Sequence, residues 1–430
     1  MRAVAIAAVL LVTAGLAACG GDGDGSGKTI DLTIGDSVPL TGDLRDYGPA
    51  GRKAADLASA AITTAIAAAH IDDRVKVIHE DNRTDNQAAV EAARRLVAGG
   101  AQCIAGAWAP SDSVATAKSV SVPEHVLQIS PASTSSTLTT VEDDGYLNRV
   151  PPADNLQGRV LAGVVAEQLN GASGKTVNIG ARNDAYGQAL ANDFARTWTA
   201  NGGTVADKVL YDPEQPSYNS EADRIATGDP NAFVIIDFTD TFQKLGPALV
   251  RTGNWDARRT FVTDGLVSSG LLTDPGPDVV KGIRGIAPGT PESVPGARAF
   301  DRLYTRSAPR SVERRTFDAQ NFDAVILCYL AAVAAGSSKG EDMKDELRAV
   351  SGPPGAKYTW DQLPDAIKAL RDGKDIDYEG AAGPIDLDAN GDPTDGVYDL
   401  VEFTDIEIKK IKQEDVRTVT STSDGGDARK

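Results

Sequence analysis

Two kinds of apolar pattern alternate along the chain from residue 29 onward. Short apolar runs, typical of buried strands, are separated by longer stretches whose apolar residues recur every three or four positions, which is typical of helices. The first series predicts strands at 29–38, 74–79, 102–106 and 126–129 and helices at 51–69, 86–98 and 111–120. The second predicts helices at 156–169, 187–200, 221–226 and 241–251 and strands at 176–181, 205–211, 232–237 and 259–262.

This alternation predicts an α/β fold. Strands that alternate with helices of 10–15 residues form parallel sheets covered on both faces. Because the rhythm runs through two series, we expect two doubly wound parallel-sheet lobes. Ligands of such sheets bind at the carboxyl ends of the strands and at helix N-termini. We therefore look for functional residues directly after the predicted strands.

The N-terminal segment has the layout of an export signal. Arg2 precedes an apolar run over residues 3–16, which ends in Leu16-Ala17-Ala18-Cys19. A cysteine directly after small residues resembles the lipobox of bacterial lipoproteins, which implies cleavage of residues 1–18 and a lipid on Cys19. The alternative is a single membrane-spanning helix, but a span needs about 20 apolar residues and this run is shorter. We expect an extracytoplasmic protein anchored to the bacterial cell membrane.

The segments that flank the predicted lobes are polar. Residues 19–29 comprise the lipidated cysteine and a Gly-rich acidic leash, which we expect to be flexible. Residues 418–430 are a polar tail that we expect to fray. No other segment is long and apolar enough to span a membrane.

The charge of the chain excludes one class of partner. The formal net charge is −18 and the pI about 4.6, so nucleic acid phosphates would be repelled. The same acidity opposes a general attraction to anionic lipid, which leaves the lipid anchor as the tether. The 430 residues are enough for two domains at roughly 100–200 residues each.

Two cysteines besides Cys19 lie in apolar surroundings. Cys103 is in a predicted strand and Cys328 in an apolar helical run, so both are interpreted as inert core thiols rather than ligands or nucleophiles. A disulfide between them suits an exported protein, and the sequence leaves that alternative open.

Motifs that carry enzyme chemistry are missing or incomplete in the sequence. No Gly-x-Gly-x-x-Gly follows a strand, and no Gly-x-Ser-x-Gly occurs. Gly174-Lys175-Thr176 lacks the first glycine of a phosphate loop, where Leu169 stands, and the three histidines have no metal-ligand spacing. Asp386 to Gly391 resembles the start of a calcium loop, but the twelfth position is Val397 instead of Glu, so we interpret it as a turn. We predict no enzyme activity, metal or cofactor.

Six short motifs extend over nearly the whole chain after the lipobox. They are Ile34-Gly35-Asp36-Ser37-Val38-Pro39-Leu40-Thr41-Gly42 with Asp46-Tyr47-Gly48, Glu80-Asp81-Asn82 with Gly106, Ser130-Pro131-Ala132-Ser133-Thr134, Asp184-Ala185-Tyr186-Gly187, Asn321-Phe322-Asp323-Ala324 and Gly383-Pro384-Ile385-Asp386-Leu387-Asp388-Ala389-Asn390-Gly391-Asp392. Their types and their order resemble those of type I periplasmic binding proteins, in particular the branched-chain amino acid (Leu/Ile/Val) branch of ABC-transporter substrate-binding lipoproteins.

The resemblance implies two α/β lobes joined by three crossovers, which by position fall near Pro151, Gly289 and Asp395. Lobe 1 would comprise residues 30–151 and 290–395, and lobe 2 residues 152–289 and 396–417. Hinge closure of the lobes would trap the ligand in the cleft and present a closed surface to a membrane permease. We expect a monomer that captures a small polar molecule such as an amino acid.

An amino acid ligand needs donors for its carboxylate. Ser111 lies at a predicted helix start, where free amides and the helix dipole favour negative charge. The Pro-Ala-Ser-Thr turn contributes Ala132, Ser133 and Thr134, with hydroxyls and amides. Each Ser or Thr could equally serve as an ordinary cap or turn residue, and the family match favours ligand binding for Ser133 and Thr134.

The ligand's ammonium needs a carboxylate. Asp264 follows the strand at 259–262, and the family has an acid here that pairs with the ligand's amino group. The alternative is a turn Asp before Gly265. Asp237 and Thr239 follow the neighbouring strand and are further candidates at the same sheet edge.

Three aromatic residues are expected around the ligand. Tyr47 from lobe 1 and Tyr186 from lobe 2 would close over it, each with an apolar face and a polar tip. Trp108 would line the side-chain pocket, although an interface or core role suits it equally. Small residues are expected there in the branched-chain proteins, so Trp108 leaves the ligand's identity open.

Two other classes of function stay open. A lipid-anchored sensor of the same fold would engage a membrane receptor instead of an ABC permease, and the ligand site does not separate the two. An exported enzyme on the same scaffold is a third class, since fold does not exclude activity.

Overall fold

The computed structural model describes residues 28–291 and 293–416. The predicted signal peptide, Cys19 with its lipobox, most of the leash and the tail at 418–430 lie outside the described residues.

The first part of the chain forms a five-stranded parallel sheet, here sheet 1, in the order β2-β1-β3-β4-β5. Its helices cover both faces, and a short π-helical turn follows the third. The strands are β1 (Asp31–Val38), β2 (Arg74–Asp81), β3 (Cys103–Ala105), β4 (Leu127–Ser130) and β5 (Leu147–Arg149), and the helices are α1 (Gly48–Ala69), α2 (Asn86–Ala98) and α3 (Pro110–Thr116).

The chain then crosses to a second sheet, here sheet 2, and builds five parallel strands there. The strands are β6 (Thr176–Arg182), β7 (Thr204–Tyr211), β8 (Ala232–Ile236), β9 (Thr260–Val262) and β10 (Arg284–Pro288). The helices are α4 (Asp154–Gln168), α5 (Ala185–Ala200), α6 (Asn219–Ile225), α7 (Thr239–Arg251) and α8 (Pro277–Val280).

The last part of the chain returns to sheet 1 and then crosses once more to sheet 2. The returning elements are α9 (Pro295–Arg306), α10 (Asp318–Ala335), α11 (Gly340–Ser351), β11 (Ala356–Thr359), α12 (Leu363–Arg371) and β12 (Ile376–Glu379), where β11 and β12 pair as a two-stranded parallel sheet. The final strands, β13 (Val397–Phe403) and β14 (Ile408–Asp415), add to the edge of sheet 2 at β10.

The predicted fold class is confirmed, with one addition. Two doubly wound sheets are joined by three passages of the chain, which follow β5, β10 and β12. The addition is that β13 runs antiparallel to β10, and β14 runs antiparallel to β13. Antiparallel neighbours can be joined by a short turn. No helix therefore separates β13 from β14, and the strand–helix alternation used for prediction does not reveal them.

Local signals in the sequence fix the starts of helices in both series of elements. Asp85 caps α2 by accepting a hydrogen bond from the Ala88 amide at 2.8 Å. Asp184 caps α5 by accepting from the amides of Tyr186 and Gly187, each at 3.0 Å. An N-terminal Asp of this kind satisfies amides that the helix itself leaves free.

The core of lobe 1, meaning sheet 1 with its covering helices, lies between α1 and α10. One face of α1 is built from alanines, which let α10 approach closely, and α10 is buried through most of its length. A helix that is apolar on every side belongs in an interior. The position of α10 brings Phe317, the N-cap residue of that helix, to the carboxyl edge of sheet 1.

A disulfide joins β3 to α10. Cys103 and Cys328 are bonded and fully buried, which answers the alternative that the sequence left open. The bond therefore ties the strand that leads to Trp108 to the helix that begins after Phe317.

Within residues 28–291 and 293–416, no single helix combines the length and apolarity of a membrane span. α10 and α11 pass that test only when taken together, and they are bent by 104° relative to each other.

We predict that replacing both cysteines, Cys103→Ala with Cys328→Ala, lowers the stability of the protein. The bond closes a loop of 225 residues, so its loss should cost on the order of 3–5 kcal/mol through the greater freedom of the unfolded chain. Urea unfolding followed by tryptophan fluorescence measures this. The wild type treated with a reductant should unfold like the variant, and equal midpoints for oxidised wild type and variant would contradict the prediction.

Candidate functional site

The carboxyl edges of sheet 1 and sheet 2 face each other across a narrow cavity. The strand ends of β1, β3 and β4 supply its wall in lobe 1, and those of β8 and β9, with the start of α5, supply its wall in lobe 2, the lobe built on sheet 2. The lining residues are Leu44, Tyr47, Trp108, Pro110, Ala132, Thr134 and Phe317 from lobe 1 and Tyr186, Phe238, Asp264 and Gly265 from lobe 2.

The two lobes are closed upon each other at this cavity. About 10 Å³ of it can receive the centre of a water molecule, which is close to the least that one water requires. One buried apolar cluster runs without a break from lobe 2 into Tyr47, Trp108 and Phe317 of lobe 1. An amino acid can enter this cavity only if its walls move apart.

The turn after β4 forms one end of the cavity. The Ser133 amide donates to Ser130 Oγ at 3.0 Å, and the Ser133 hydroxyl donates to the Trp108 carbonyl at 2.9 Å. Ser133 is therefore occupied in holding the turn against the loop that carries Trp108. The Thr134 hydroxyl, in contrast, is buried at the cavity and has no hydrogen-bond partner among the described residues.

Arg149, at the end of β5, holds the same turn from behind. Its Nη1 donates to the carbonyls of Thr134 at 2.8 Å and Ser135 at 2.7 Å. Its Nε donates to Asp392 Oδ1 at 2.7 Å and its Nη2 to Thr139 Oγ1 at 2.9 Å. With its carbonyls engaged by Arg149, the turn is fixed in one conformation.

Asp264 provides the carboxylate at the opposite end. Its Oδ1 accepts hydrogen bonds from the Tyr186 hydroxyl at 2.7 Å and from Gln157 Nε2 at 2.6 Å. Burial raises the pKa of Asp264 to about 6, although both of these hydrogen bonds oppose the rise. A carboxyl group with this pKa gains from a cation placed beside it.

Asp154, in the first turn of α4, is a second buried carboxyl group near Asp264. Burial, followed by the charge of Asp264, raises its pKa well above the usual range, and the nearby Thr134 hydroxyl and Arg149 oppose the rise in part. Neither carboxylate oxygen of Asp154 has a partner with hydrogen-bond geometry among the described residues. The lobe interface thus holds two buried carboxyl groups whose negative charges disfavour each other.

Aromatic rings form the remaining walls. The Tyr47 hydroxyl donates to the backbone carbonyl of Asp264 at 3.1 Å, so it bridges the two lobes. The Phe238 ring stacks on Tyr186, and the Arg182 guanidinium lies 3.8 Å from the centre of its ring. Phe317 meets Trp108 edge to face, with 6.4 Å between ring centres.

Trp108 is fitted against the backbone of α1. A Cβ placed on Gly51 would lie 2.3 Å from Cζ2 of the indole, so only glycine leaves room for the ring at this position. The indole Nε1 is buried and has no acceptor among the described residues. An N–H left without a partner in the interior costs roughly 1–3 kcal/mol, which a ligand acceptor in the cavity would recover.

The structure brings six of the ten expected ligand residues to this cavity. They are Tyr47, Trp108, Ala132, Thr134, Tyr186 and Asp264. Ser111 is half-buried in the first turn of α3, where the neighbouring Pro110 faces the cavity in its place. Ser133 is occupied within the turn, as described above.

Asp237 and Thr239 lie beside the cavity and serve other contacts. Asp237 accepts from the Tyr211 hydroxyl at 2.9 Å and lies 3.8 Å from Arg182. Burial raises its pKa to about 7, against the charge of Arg182. The Thr239 hydroxyl donates to the Asp43 carbonyl of lobe 1 at 3.0 Å.

Several site residues were not predicted from the sequence, and the signals for them differ. Phe238 and Gly265 directly follow predicted residues at strand ends, and Pro110 directly precedes Ser111, so position alone could have found them. Asp154 and Gln157 lie in the first turn of a helix that follows a crossover. Phe317 follows no strand and carries no such signal.

The segment Asp43–Tyr47, here called the latch, joins lobe 1 to lobe 2. Arg182 Nη1 and Nη2 donate to Asp43 at 3.2 Å, and Arg45 pairs with Asp240. The Ser268 hydroxyl donates to Asp46 Oδ2 at 3.0 Å. Four of the five latch residues, all except Leu44, therefore bond to lobe 2.

The described residues include no group of three or more His, Cys, Asp or Glu side chains arranged to hold a metal ion. The cavity has hydrogen-bond donors at one end, the Asp264 carboxyl group at the other and aromatic walls between them. Asp154 lies between these ends, and its amide donates to the Thr134 carbonyl at 2.7 Å.

Comparison with known proteins agrees with this geometry. The family model described as periplasmic binding protein matches residues 31–403, which confirms the predicted family. The chain is 26% identical over 408 residues to the chemotactic signal transduction system substrate-binding protein BasB of Halobacterium salinarum, covering 92% of both proteins.

Solved structures share the fold. The leucine binding protein LivK of Thermotoga maritima has a TM-score of 0.73 at 20% identity, covering 89% of this chain and 98% of that one. A solute binding protein of Rhodopseudomonas palustris in complex with 4-hydroxybenzoate has a TM-score of 0.70 at 16% identity, covering 89% and 97%.

We predict that the double variant Arg45→Ala with Asp46→Ala opens the lobes. It removes an ion pair and a hydrogen bond to a carboxylate, which together are worth roughly 1–2 kcal/mol and change the ratio of closed to open protein about 5–30-fold. Small-angle X-ray scattering should show a larger radius of gyration. Arg74→Ala, which breaks an exposed pair with Asp31 inside lobe 1, is the control and should leave the radius unchanged. Equal radii in all three proteins would rule out the latch.

Proposed function

The chain belongs to the periplasmic binding protein family, and we propose that it is a lipid-anchored solute-binding protein that delivers an amino acid or a similar small polar metabolite to an ABC permease. Members of this family are extracytoplasmic solute-binding proteins of ABC-type transporters. The observation that carries the proposal is the cavity between the lobes, which has unpaired donors at one end and Asp264 at the other.

The ends of the cavity match the two charged groups of a free amino acid. The Thr134 hydroxyl and the Trp108 Nε1–H would donate to the ligand carboxylate, because neither has an acceptor with hydrogen-bond geometry among the described residues. Asp264 would pair with the ligand ammonium, with Tyr186 and Gln157 holding its carboxylate in place. Tyr47, Ala132 and the other aromatic walls would enclose the side chain.

The remaining predicted residues would act through their neighbours. Ser133 would position the donor end, and Ser111 would place helix α3 against it. Asp237 would orient Arg182, which grips the latch, and Thr239 would bind the latch directly. In this proposal they stabilise the closed form instead of touching the ligand.

Ligand capture would proceed by hinge closure. Lobe 1 would comprise residues 30–151 and 290–395, and lobe 2 residues 152–289 and 396–417, with the three crossovers as hinge. The ligand supplies contacts to both lobes only when they are closed, so it shifts the population toward the closed form. The latch then stabilises the surface that a permease recognises.

The chain would act as a monomer tethered through a lipid on Cys19. The similarity to BasB, a protein named for chemotactic signal transduction, supports a second role. In this alternative the closed protein signals to a membrane receptor. The two roles share one ligand site and differ in the protein that recognises the closed form.

A thermal-shift screen of residues 20–430 tests the ligand class. The compounds are amino acids, amides, short ureas and aromatic carboxylates, because proteins of this fold have been solved in complex with isoleucine and with 4-hydroxybenzoate. A ligand that binds only the folded protein raises the melting temperature. A shift with an aliphatic amino acid supports the proposal, and shifts with aromatic acids alone would remove the ammonium role of Asp264.

We predict that amino acid affinity rises with pH between about 5 and 7. The unliganded Asp264, whose pKa is raised to about 6, must lose its proton to pair with an ammonium, so acid weakens binding. Calorimetry with leucine in two buffers of different ionisation enthalpy should show proton release near pH 5.5. Asp264→Asn should abolish the release and cost several kcal/mol, since an ammonium would be buried without a counter-charge.

The matched control for that measurement is 4-methylpentanoate, which is leucine without its amino group. It should bind weakly and release no proton, because it brings no cation to Asp264. Identical proton release with both compounds would assign the release to another group and contradict the role of Asp264.

We predict that Cys19→Ala frees the protein from the membrane and leaves ligand binding intact. Cys19 would carry the lipid, whereas the cavity is built from residues after 40. Membrane fractionation followed by immunoblotting measures the change, with Cys103→Ala as the control that keeps the anchor. A Cys19→Ala protein that stays in the membrane fraction would show that another segment anchors the chain.

A further inference from the structure

A larger crevice lies directly behind the ligand cavity. It has a volume of about 590 Å³ and is formed by both lobes, between the start of α9, the segment before α10 and the hinge side of sheet 2. Its lining residues are Pro288, Gly289, Thr290, Ala297, Arg298, Asp301, Arg314, Arg315, Thr316, Phe317, Asp318, Ala319, Gln320, Asp399 and Lys410.

Phe317 separates the crevice from the ligand cavity. It is the residue that lines both. Its backbone has a φ of +72°, a left-handed conformation that is uncommon for a bulky side chain and costs on the order of 1–3 kcal/mol. Backbone strain of this kind is typical of ligand clamps and of switch regions.

The other aromatic walls are fixed more firmly than Phe317. Tyr47 and Tyr186 donate hydrogen bonds through their hydroxyls, Phe238 is stacked between Tyr186 and Arg182, and Trp108 is fitted against Gly51. The Phe317 ring contacts the rings of Tyr47 and Trp108 on the cavity side, and on its other side it lines the crevice. Among these aromatic residues, Phe317 is therefore the one that a ligand would displace most easily in the closed protein.

The crevice lining has a net positive charge, whereas the whole chain is strongly negative. The chain carries −18, yet the crevice is lined by four basic and three acidic residues. Arg314 is paired with Asp318 at 2.7 Å and with Asp301, and Lys410 with Asp399 at 2.9 Å.

Arg315 is less closely paired with a carboxylate than Arg314 and Lys410 are. Its carboxylate partner, Glu313, lies 3.3 Å away and is 76% exposed, so water screens that pair. The charge of Arg315 also reaches the ligand cavity. Burial raises the pKa of Tyr47 well above its usual value, as do Asp264 and Asp46, and Arg315 lowers it.

We propose that Phe317 is a gate between the ligand cavity and a distal anion subsite at Arg315, so that the protein takes an amino acid whose side chain ends in a carboxylate or another anionic group. This inference rests on the proposed function, because the amino end of the ligand lies in the cavity described above. The ring swings into the crevice, the ligand side chain passes it, and the anionic end meets the Arg315 guanidinium. A guanidinium binds a carboxylate through two parallel N–H donors.

The test compares three ligands with the full chain by calorimetry. They are leucine, 2-aminooctanoate and 2-aminooctanedioate, the last two having the same length and differing only in the terminal carboxylate. The expected result is that 2-aminooctanedioate binds the wild type at least tenfold more tightly than 2-aminooctanoate. Arg315→Gln should remove that preference and leave leucine unchanged. Arg310→Gln, an exposed arginine in the same segment, is the matched control and should retain the preference.

Phe317→Gly tests the gate itself. Glycine adopts a positive φ without strain, so the variant keeps the backbone while it joins the two spaces. It should bind both eight-carbon ligands more tightly and leucine more weakly. Phe317→Leu provides a second variant that keeps apolar bulk, with an intermediate effect expected.

The outcomes separate this subsite from the proposed function. If leucine binds the wild type but the two long ligands bind equally, or if Arg315→Gln behaves like Arg310→Gln, the subsite is overturned and the proposed function stands. If none of the three ligands binds the wild type or any variant, the amino acid site and the subsite built on it are both overturned.

Discussion

The buried guanidinium of Arg149 is the constraint on which the ligand site depends. A cation taken out of water must be paired and hydrogen-bonded, and Arg149 meets this requirement with Asp392, Thr139 and the carbonyls of residues 133–135. In doing so it joins the end of β5, the turn after β4 and the segment that leads to the last crossover. The hinge side of lobe 1 and the donor end of the cavity are therefore one rigid unit.

The opposite end of the cavity is organised by buried charge as well, in this case by carboxyl groups. Asp264 and Asp154 are buried close together, and each is disfavoured as an anion by burial. Lobe 2 offers Asp264 hydroxyl and amide donors, and the described lining residues of the cavity include no cation. A positively charged group of the ligand would complete this arrangement, much as Asp392 completes Arg149. The cleft thus contains two buried charges. Arg149 is paired within lobe 1, whereas Asp264, at the lobe interface, has no cation beside it among the described lining residues.

The sequence predicted the parts of the fold that follow from local periodicity and from strand ends. Asp264 could be predicted because it follows a strand in a regular β-α alternation, and Tyr186 because it stands in the motif Asp184–Gly187 that resembles the family. The place of β13 and β14 in sheet 2 could not, since β13 pairs with β10, which lies far earlier in the chain. Phe317 and Asp154 reach the site through the packing of α10 and α4, and the pairing of Cys103 with Cys328 depends on the same packing. Long-range contacts of this kind leave no mark on a local pattern.

The close fit of Trp108 against Gly51 has a consequence for how ligand preference can change within the family. A side chain on residue 51 and an indole at residue 108 exclude each other sterically, although one residue belongs to a helix of the scaffold and the other to a loop of the cleft. The two positions are therefore expected to be inherited together. A relative that has exchanged this glycine for a larger residue must also have rebuilt its binding pocket, so one position on α1 serves as a marker by which relatives with the same pocket can be recognised from sequence.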